Sequence, residues 1–393
     1  MKKLIAILLA CVMMFVFIAA CTDDPPATND TPAAGTDPVE QEEDDDEDLN
    51  GIELEDLRIA LVAHGPESIQ FDGSFNEGAW NGIVQFLEAR SLSPDVNANF
   101  FQSSEADNEA RVDVMIDAIE TWGAHILILP GFHFAASVYT AANLFPDTKF
   151  IVLDTRTDPG PTPANVVSIL YAEEQSGFLA GYAVVMEGYR DLGFMGGIAV
   201  PAVVRFGHGF IEGADFAAQE LGLSAGDVSI SYHYIGAFAP SPEVATMAAS
   251  WYASGTEVIF AAAGGAGFSV ISAAEDAGTW MVGVDVDQSG ASDRVLTSAM
   301  KALAVSVVDM LTDFVSDDFQ GGADLLFDAS NNGVALPMDT SRFSTFTSAQ
   351  FDEIFAQIAN GSVVVTTELV DPDLGTDPNL YVETNLVVVN FIP

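Results

Sequence analysis

The chain has 393 residues, 58 of them acidic against 12 basic, for a formal charge of −46. A surface that negative excludes nucleic acid and anionic lipid headgroups as partners, since both would repel it. Only two cysteines occur, Cys11 and Cys21, and Cys11 lies within an apolar leader, so the mature chain is expected to lack both a disulfide framework and a thiolate metal site.

The first twenty residues read as an export signal: Lys2 and Lys3 supply the positive start, residues 4–18 are almost wholly apolar, and the small pair Ala19-Ala20 precedes Cys21. The apolar run is too short for a comfortable membrane span. Ile18-Ala19-Ala20-Cys21 resembles a bacterial lipobox, which makes Cys21 the expected lipidation site and lipid anchor. Residues 21–56 read as a disordered acidic tether. Pro25, Pro26, Pro32, Gly35 and Pro38 break regular structure, and the run from Glu42 to Asp48 carries only like charge. That run lacks the glycine and register of a calcium loop, so a solvated spacer is the expectation.

From residue 57 onward, roughly 335 residues remain, enough for two lobes. Strand-like runs at 58–63, 97–101, 126–129, 150–153 and 166–171 alternate with helix-like runs at 75–90, 107–121, 133–144 and 173–187. The pattern repeats with strands at 193–195, 228–234, 257–262 and 280–284 and helices at 201–221, 241–253 and 266–277. Such alternation predicts two parallel sheets covered by helices, an α/β architecture of two doubly wound three-layer lobes with a crevice between them. Residues 343–358 predict one more amphipathic helix, and 363–368 and 380–391 predict strands added to the second lobe.

The most informative segment is Asp72-Gly73-Ser74-Phe75-Asn76-Glu77-Gly78-Ala79-Trp80-Asn81-Gly82. It joins a buried strand to a helix, where open α/β sheets place ligands. Ser74 and Asn76 suit a helix N-cap, and Glu77, three residues after Ser74, predicts a capping box. Small residues along 173–187 predict close packing of that helix on a sheet, with Phe178 in the core rather than the crevice wall. Gly196-Gly197 lacks the lysine or spaced glycines of a phosphate cradle, whereas Phe206 on the next helix can face the crevice opposite Phe75. Gly264-Gly265 lets a ligand approach the backbone, and the absence of a full spaced-glycine pattern argues against a dinucleotide fold. Asp285 ends a strand and Lys301 follows. They can hold vicinal hydroxyls, or they can be a turn cap and a surface cation. The five histidines show no metal spacing, and no nucleophile elbow or triad is legible, so neither a cofactor nor an enzymatic reaction is expected.

Taken in order, these blocks resemble the basic membrane protein family of bacterial lipoproteins, the substrate-binding subunits of ABC importers for purine and related nucleosides. The matching elements are the lipobox, the Asp72–Gly82 segment, Gly131-Phe132, Phe150-Ile151-Val152-Leu153-Asp154, Phe178-Leu179-Ala180-Gly181, Gly196-Gly197 with Phe206 and Gly209-Phe210, Gly264-Gly265, Gly283-Val284-Asp285 and Leu296-Thr297-Ser298-Ala299-Met300-Lys301. The resemblance implies a type I periplasmic-binding-protein fold with three hinge crossings. Residues 57–170 and about 297–325 would form one lobe, and 171–296 and about 326–393 the other. It implies that Phe75 and Phe206 sandwich a base, that Asn76 with an acidic group reads the base edge, and that Asp285 and Lys301 hold the ribose. Asp72, Ser74, Gly131, Phe132, Gly264 and Gly265 would complete the ligand site. One departure stands out: the family pattern has a further aspartate at the end of the first strand, where this chain has His64-Gly65-Pro66-Glu67 and an altered loop through Phe71. The implied protein is a monomer anchored outside the membrane, binding a nucleoside-like solute and partnering an ABC permease. The alternative is a surface sensor or binder of another small polyol or heterocycle.

Overall fold

The computed structural model of the chain describes residues 52–367 and 375–393. The expected signal, Cys21 and the acidic run lie outside the described residues. Of the expected tether, residues 52–56 are described, and they are not free: Ile52 and Leu54 pack on the buried cluster that includes Leu57, Ile59 and Phe86, and Asn97 Nδ2 donates to the Glu55 and Leu57 carbonyls. Two apolar side chains suffice to pull this end onto the lobe.

The strands in chain order are β1 (Ile59–Ala63), β2 (Ala98–Gln102), β3 (Ile126–Pro130), β4 (Lys149–Leu153), β5 (Val166–Tyr171), β6 (Asp191–Gly196), β7 (Val228–Tyr234), β8 (Val258–Ala262), β9 (Trp280–Asp285), β10 (Val295–Lys301), β11 (Asp324–Phe327), β12 (Val334–Ala335) and β13 (Val387–Phe391). The α-helices are α1 (Phe75–Ala89), α2 (Pro94–Asn97), α3 (Asn108–Ile116), α4 (Ala135–Leu144), α5 (Glu173–Glu187), α6 (Pro201–Glu220), α7 (Pro242–Ala253), α8 (Gly267–Ala277), α9 (Leu303–Val315) and α10 (Ser348–Ala359).

Two sheets result. The first has the order β11-β5-β4-β3-β1-β2, all pairs parallel. The second has the order β12-β10-β9-β8-β6-β7-β13, parallel except for the short β10–β12 pair. Central strands such as β1, β3 and β8 are buried along their whole length, as strands covered by helices on both faces must be. The chain passes between the sheets three times, after β5, after β10 and after β11. The fold is the doubly wound, three-crossing type that the alternation and the resemblance imply.

Four details differ from expectation. β10 pairs with β9 along its length, so the second crossing follows Lys301 rather than falling near 297. α9 then packs on α1 in the first lobe. Residues 363–367 form no strand: Val365 is buried as irregular chain, and the Thr366 amide donates to Glu212 instead of to a ladder. Of 380–391 only β13 is a strand, added beside β7. Finally, the small residues of α5 serve a helix as well as the sheet, on which Ser176 Oγ donates to the Met300 carbonyl of β10. A methyl placed on Gly177 or Gly181 of α5 would overlap carbonyl oxygens of α6, and one on Gly209 or Gly213 of α6 would overlap those of α5. Backbone therefore lies against backbone, and this contact sets Glu173 and Phe206 side by side at the crevice.

Candidate functional site

A cleft of about 470 Å³ opens between the carboxyl ends of the two sheets, the position the strand order favours for ligands. The first lobe supplies Asp72, Phe75, Asn76, Gly131 and Phe132 to its wall; the second supplies Phe206, Gly264, Gly265, Asp285 and Lys301. Phe178 is buried against Tyr182 and Phe216, away from the cleft.

The loop before α1 is built around Asp72. Its Oδ1 accepts from the Ser74 and Glu77 amides and its Oδ2 from the Asn76 amide. Glu77 Oε2 in turn accepts from the Gly73 amide. The capping role expected of Ser74 thus belongs to Asp72. The reason is a stronger acceptor two residues earlier, which frees Ser74 to donate from Oγ to Asp285 Oδ2 at 2.6 Å. Burial pushes the Asp72 carboxyl up to about 6, against the pull of its three backbone donors. Ser74 therefore sits beneath the cleft, positioning Asp285. Gln288 Nε2 adds a second bond across the crevice, donating to the Gly73 carbonyl at 2.8 Å. Asn76 is 6% exposed and spends both amide protons on its own loop, on Ser68 Oγ and the Ile69 carbonyl, so only its Oδ1 remains for a ligand.

Lys301 is the centre of the opposite end. It is 4% exposed. Its Nζ lies 2.6 Å from Asp154 Oδ2, 3.1 Å from Glu173 Oε1 and 3.7 Å from Asp285 Oδ1. The same ammonium stands 4.8 Å from the centre of the Phe75 ring and 5.3 Å from that of Phe206, within cation–π range of both. It is not a surface cation. Burial alone would lower the ammonium, but the three carboxylates outweigh it and raise Lys301 above the usual lysine range. Burial raises Asp154 to about 7 even though Lys301 pulls it down. Asp154 and Asp285 both take left-handed backbone, at φ 63° and 67°, at the ends of β4 and β9. Aspartate tolerates that region better than most residues, and such strain is concentrated at functional sites. Arg205 closes the cluster, 3.2 Å from Glu173 and 4.0 Å from Glu174, whose carboxyl burial pushes up to about 7.

Four carboxylates against two cations leave acceptor capacity in excess. Asp154 Oδ1 is buried without a hydrogen-bond partner among the described residues. A ligand offering hydroxyl donors would satisfy it. Asp154 and Glu173 were not among the expected site residues. Asp154 carried a legible signal, because it directly follows β4 much as Asp285 ends β9. Glu173 carried none, since an acidic residue at a helix start reads as a dipole partner.

The other wall is neutral. The His64 and His133 rings stack in parallel, 4.0 Å apart and 2° from coplanar, and Phe132 lies 3.8 Å from His133. Arg111 donates to both histidine carbonyls. Burial, reinforced by Arg111, lowers His64 to about 4; burial, reinforced by His64 and Arg111, lowers His133 to about 3.

A two-lobed α/β molecule with three crossings and a cleft at its strand ends has the type I periplasmic-binding-protein architecture. The architecture matches a crystal structure of ABC transporter system solute-binding proteins from Aeropyrum pernix K1, with a TM-score of 0.69, 18% identity, and coverage of 81% of this chain and 95% of that one. The family model described as ABC transporter substrate-binding protein PnrA-like matches residues 57–367, and the chain belongs to that family. Among curated relatives, it is 27% identical over 319 residues to basic membrane protein A1 of Borrelia garinii subsp. bavariensis, covering 80% of this chain and 89% of the relative. It is 28% identical over 307 residues to the ABC transporter nucleoside-binding protein BmpA of Lactococcus lactis subsp. cremoris, covering 73% and 83%. Proteins of this class bind and carry a solute and do not transform it.

Proposed function

We propose that the cleft captures a nucleoside, with a purine as the preferred base, and delivers it to an ABC permease. The observation that carries this reading is the juxtaposition, around one buried ammonium, of two aromatic rings and two strand-end carboxylates, Asp154 and Asp285. Rings suit the face of a base, and carboxylates with spare acceptor capacity suit vicinal ribose hydroxyls. The nucleoside-binding relative from Lactococcus lactis supports the same ligand class. Capture proceeds by closure of the lobes about the three crossings, with Ser74–Asp285 and Gln288–Gly73 as contacts of the closed form.

Calorimetric titration with a nucleoside and its free base tests the assignment. Asp285→Asn should weaken the nucleoside by about tenfold or more, since hydrogen bonds to a charged group contribute about 1.5–3 kcal/mol. The free base, lacking hydroxyls, should be much less affected. Equal losses for both ligands would remove Asp285 from the ribose site, and no nucleoside binding by the parent would remove the ligand class. The permease is reached from the outer membrane face through a lipid on Cys21, with the protein acting as a monomer. Cys21→Ser should abolish membrane retention in a fractionation of expressing cells.

A further inference from the structure

The paired histidines are unused by the reading above, although both line the cleft. They close the end of the first sheet, His64 just beyond β1 and His133 just beyond β3, which are neighbours in the sheet. Arg111 bridges their carbonyls and so fixes the backbone on both sides of the stack. The hydrogen-bond chain continues into the rings. Asn76 Nδ2 donates to Ser68 Oγ at 3.2 Å, and Ser68 Oγ lies 3.0 Å from His64 Nδ1. With the Ser68 hydroxyl as the donor of this pair, its proton goes to His64 Nδ1. A neutral imidazole that accepts at Nδ1 carries its own proton at Nε2. His64 Nε2 makes no hydrogen bond among the described residues.

We propose that His64, its tautomer set by the Asn76–Ser68 relay and its ring plane by stacking on His133, is a specificity-determining residue that offers a single N–H donor to the polar edge of the ligand's heterocycle. The inference rests on the cleft being a nucleoside site. Its content is a preference at the 6 position of the base: an oxo group there presents an acceptor to that N–H, whereas an amino group presents a donor and leaves both groups unpaired. Sites built to pair one polar group discriminate strongly against ligands that leave it unpaired. His133 is a positioning residue. The burial and the Arg111 charge that keep both rings neutral also keep the donor count at one near neutral pH.

The test is a titration of inosine, the 6-oxo purine nucleoside, and adenosine, its 6-amino counterpart, against the full mature chain and three variants. The parent should favour inosine by about tenfold or more. His64→Gln retains an N–H donor and should keep the direction of that preference. His64→Asp offers acceptors only and should raise adenosine relative to inosine, while His64→Leu should bring the two affinities together. Thermal melting of the free proteins identifies any variant that fails to fold, and the remaining variants still decide the question. A parent that binds both nucleosides equally, or favours adenosine, overturns the donor assignment while leaving the nucleoside reading intact. Variants that all shift both ligands alike also overturn it. Failure of the parent to bind either nucleoside is a failure of the ligand class instead.

Discussion

The two ends of the cleft bury ionisable groups to opposite effect. At the Lys301 end, an ammonium, a guanidinium and four carboxylates share a small volume, and Lys301 is raised above its usual range. At the His64 end, burial is again the largest influence, yet the imidazoles fall to about 4 and about 3. The difference is the sign of the nearest charge. Lys301 meets anions; the histidines meet Arg111, which opposes a second positive charge. Burial alone does not decide whether a cleft wall is charged: Lys301 has carboxylates around it that favour its charge, whereas the imidazoles have a like charge beside them. In the proposed reading, one end takes hydroxyl donors and the other a neutral polar edge.

The largest expected effect comes from breaking the charged end. Lys301→Met leaves Asp154, Glu173 and Asp285 facing one another, and removal of one partner from a buried ion cluster costs about 3–5 kcal/mol. Urea denaturation should report that loss, and adding Asp154→Asn should recover part of it. A Lys301→Met variant as stable as the parent would mean that the ammonium does not offset those carboxylates.

A smaller effect should follow from moving the scaffold beneath that end. Gly209→Ala places a methyl on the Glu174 carbonyl oxygen and forces α5 and α6 apart. Overpacking of this kind costs about 1–3 kcal/mol. Because α5 carries Glu173 and α6 carries Phe206, ligand affinity should fall together with the melting temperature. Gly222→Ala, at a site with open space but a φ of 66°, is the control that strains backbone without crowding; it should lower the melting temperature and spare binding.

The neutral end is distinguished by pH. The unfolded chain takes up protons on His64 and His133 as pH falls through about 6.5, and the folded chain refuses them until about 4 and about 3. The unfolded state binds more protons across that window, so stability is lost as pH falls from about 6.5 toward 4. The carboxyls act with the opposite sign. Asp154 and Glu174, at about 7, and Asp72, at about 6, protonate in the folded state first and add stability as pH falls from about 7 toward 4. Comparing the parent with the double variant His64→Leu, His133→Leu isolates the histidine contribution. The double variant should gain on the parent by about 1–2 kcal/mol between pH 6.5 and 4, the ideal linkage value being discounted for the partial exposure of both rings. Parallel stability curves for the two proteins would mean that the rings are not held neutral by the fold.

Much of the site's location was legible. The Asp72–Gly82 segment, Gly264-Gly265 and Asp285 sit at strand ends that the alternation of apolar runs already marks, and the strand order brings those ends to one cleft. Roles within the segment were less legible. Ser74 and Asp72 are both good caps, and only the approach of Asp285 from the second lobe, 211 residues away in sequence, recruits the Ser74 hydroxyl elsewhere. Asn76 reads as an amide free to use both its ends, whereas the loop folds back, takes both its amide protons and leaves Oδ1. The helix-on-helix use of Gly177, Gly181, Gly209 and Gly213 was likewise hidden, because a small-residue stripe shows that something comes close and not what.

By itself, then, the sequence determined the alternation of elements, the α/β class, the two lobes and the loops that face the crevice, since hydropathy period and strand-end chemistry are local properties. It also determined that few cations were available to the cleft. The tertiary structure alone decided that Lys301 meets Asp154, 147 residues away, and Glu173, and that His64 meets His133. These partners come from different strands and helices, and their meeting depends on sheet order and on where the chain crosses between lobes. Periodicity encodes that a residue is buried; it carries no information about which other buried charge will lie beside it, and here that pairing sets the charge of each wall of the cleft.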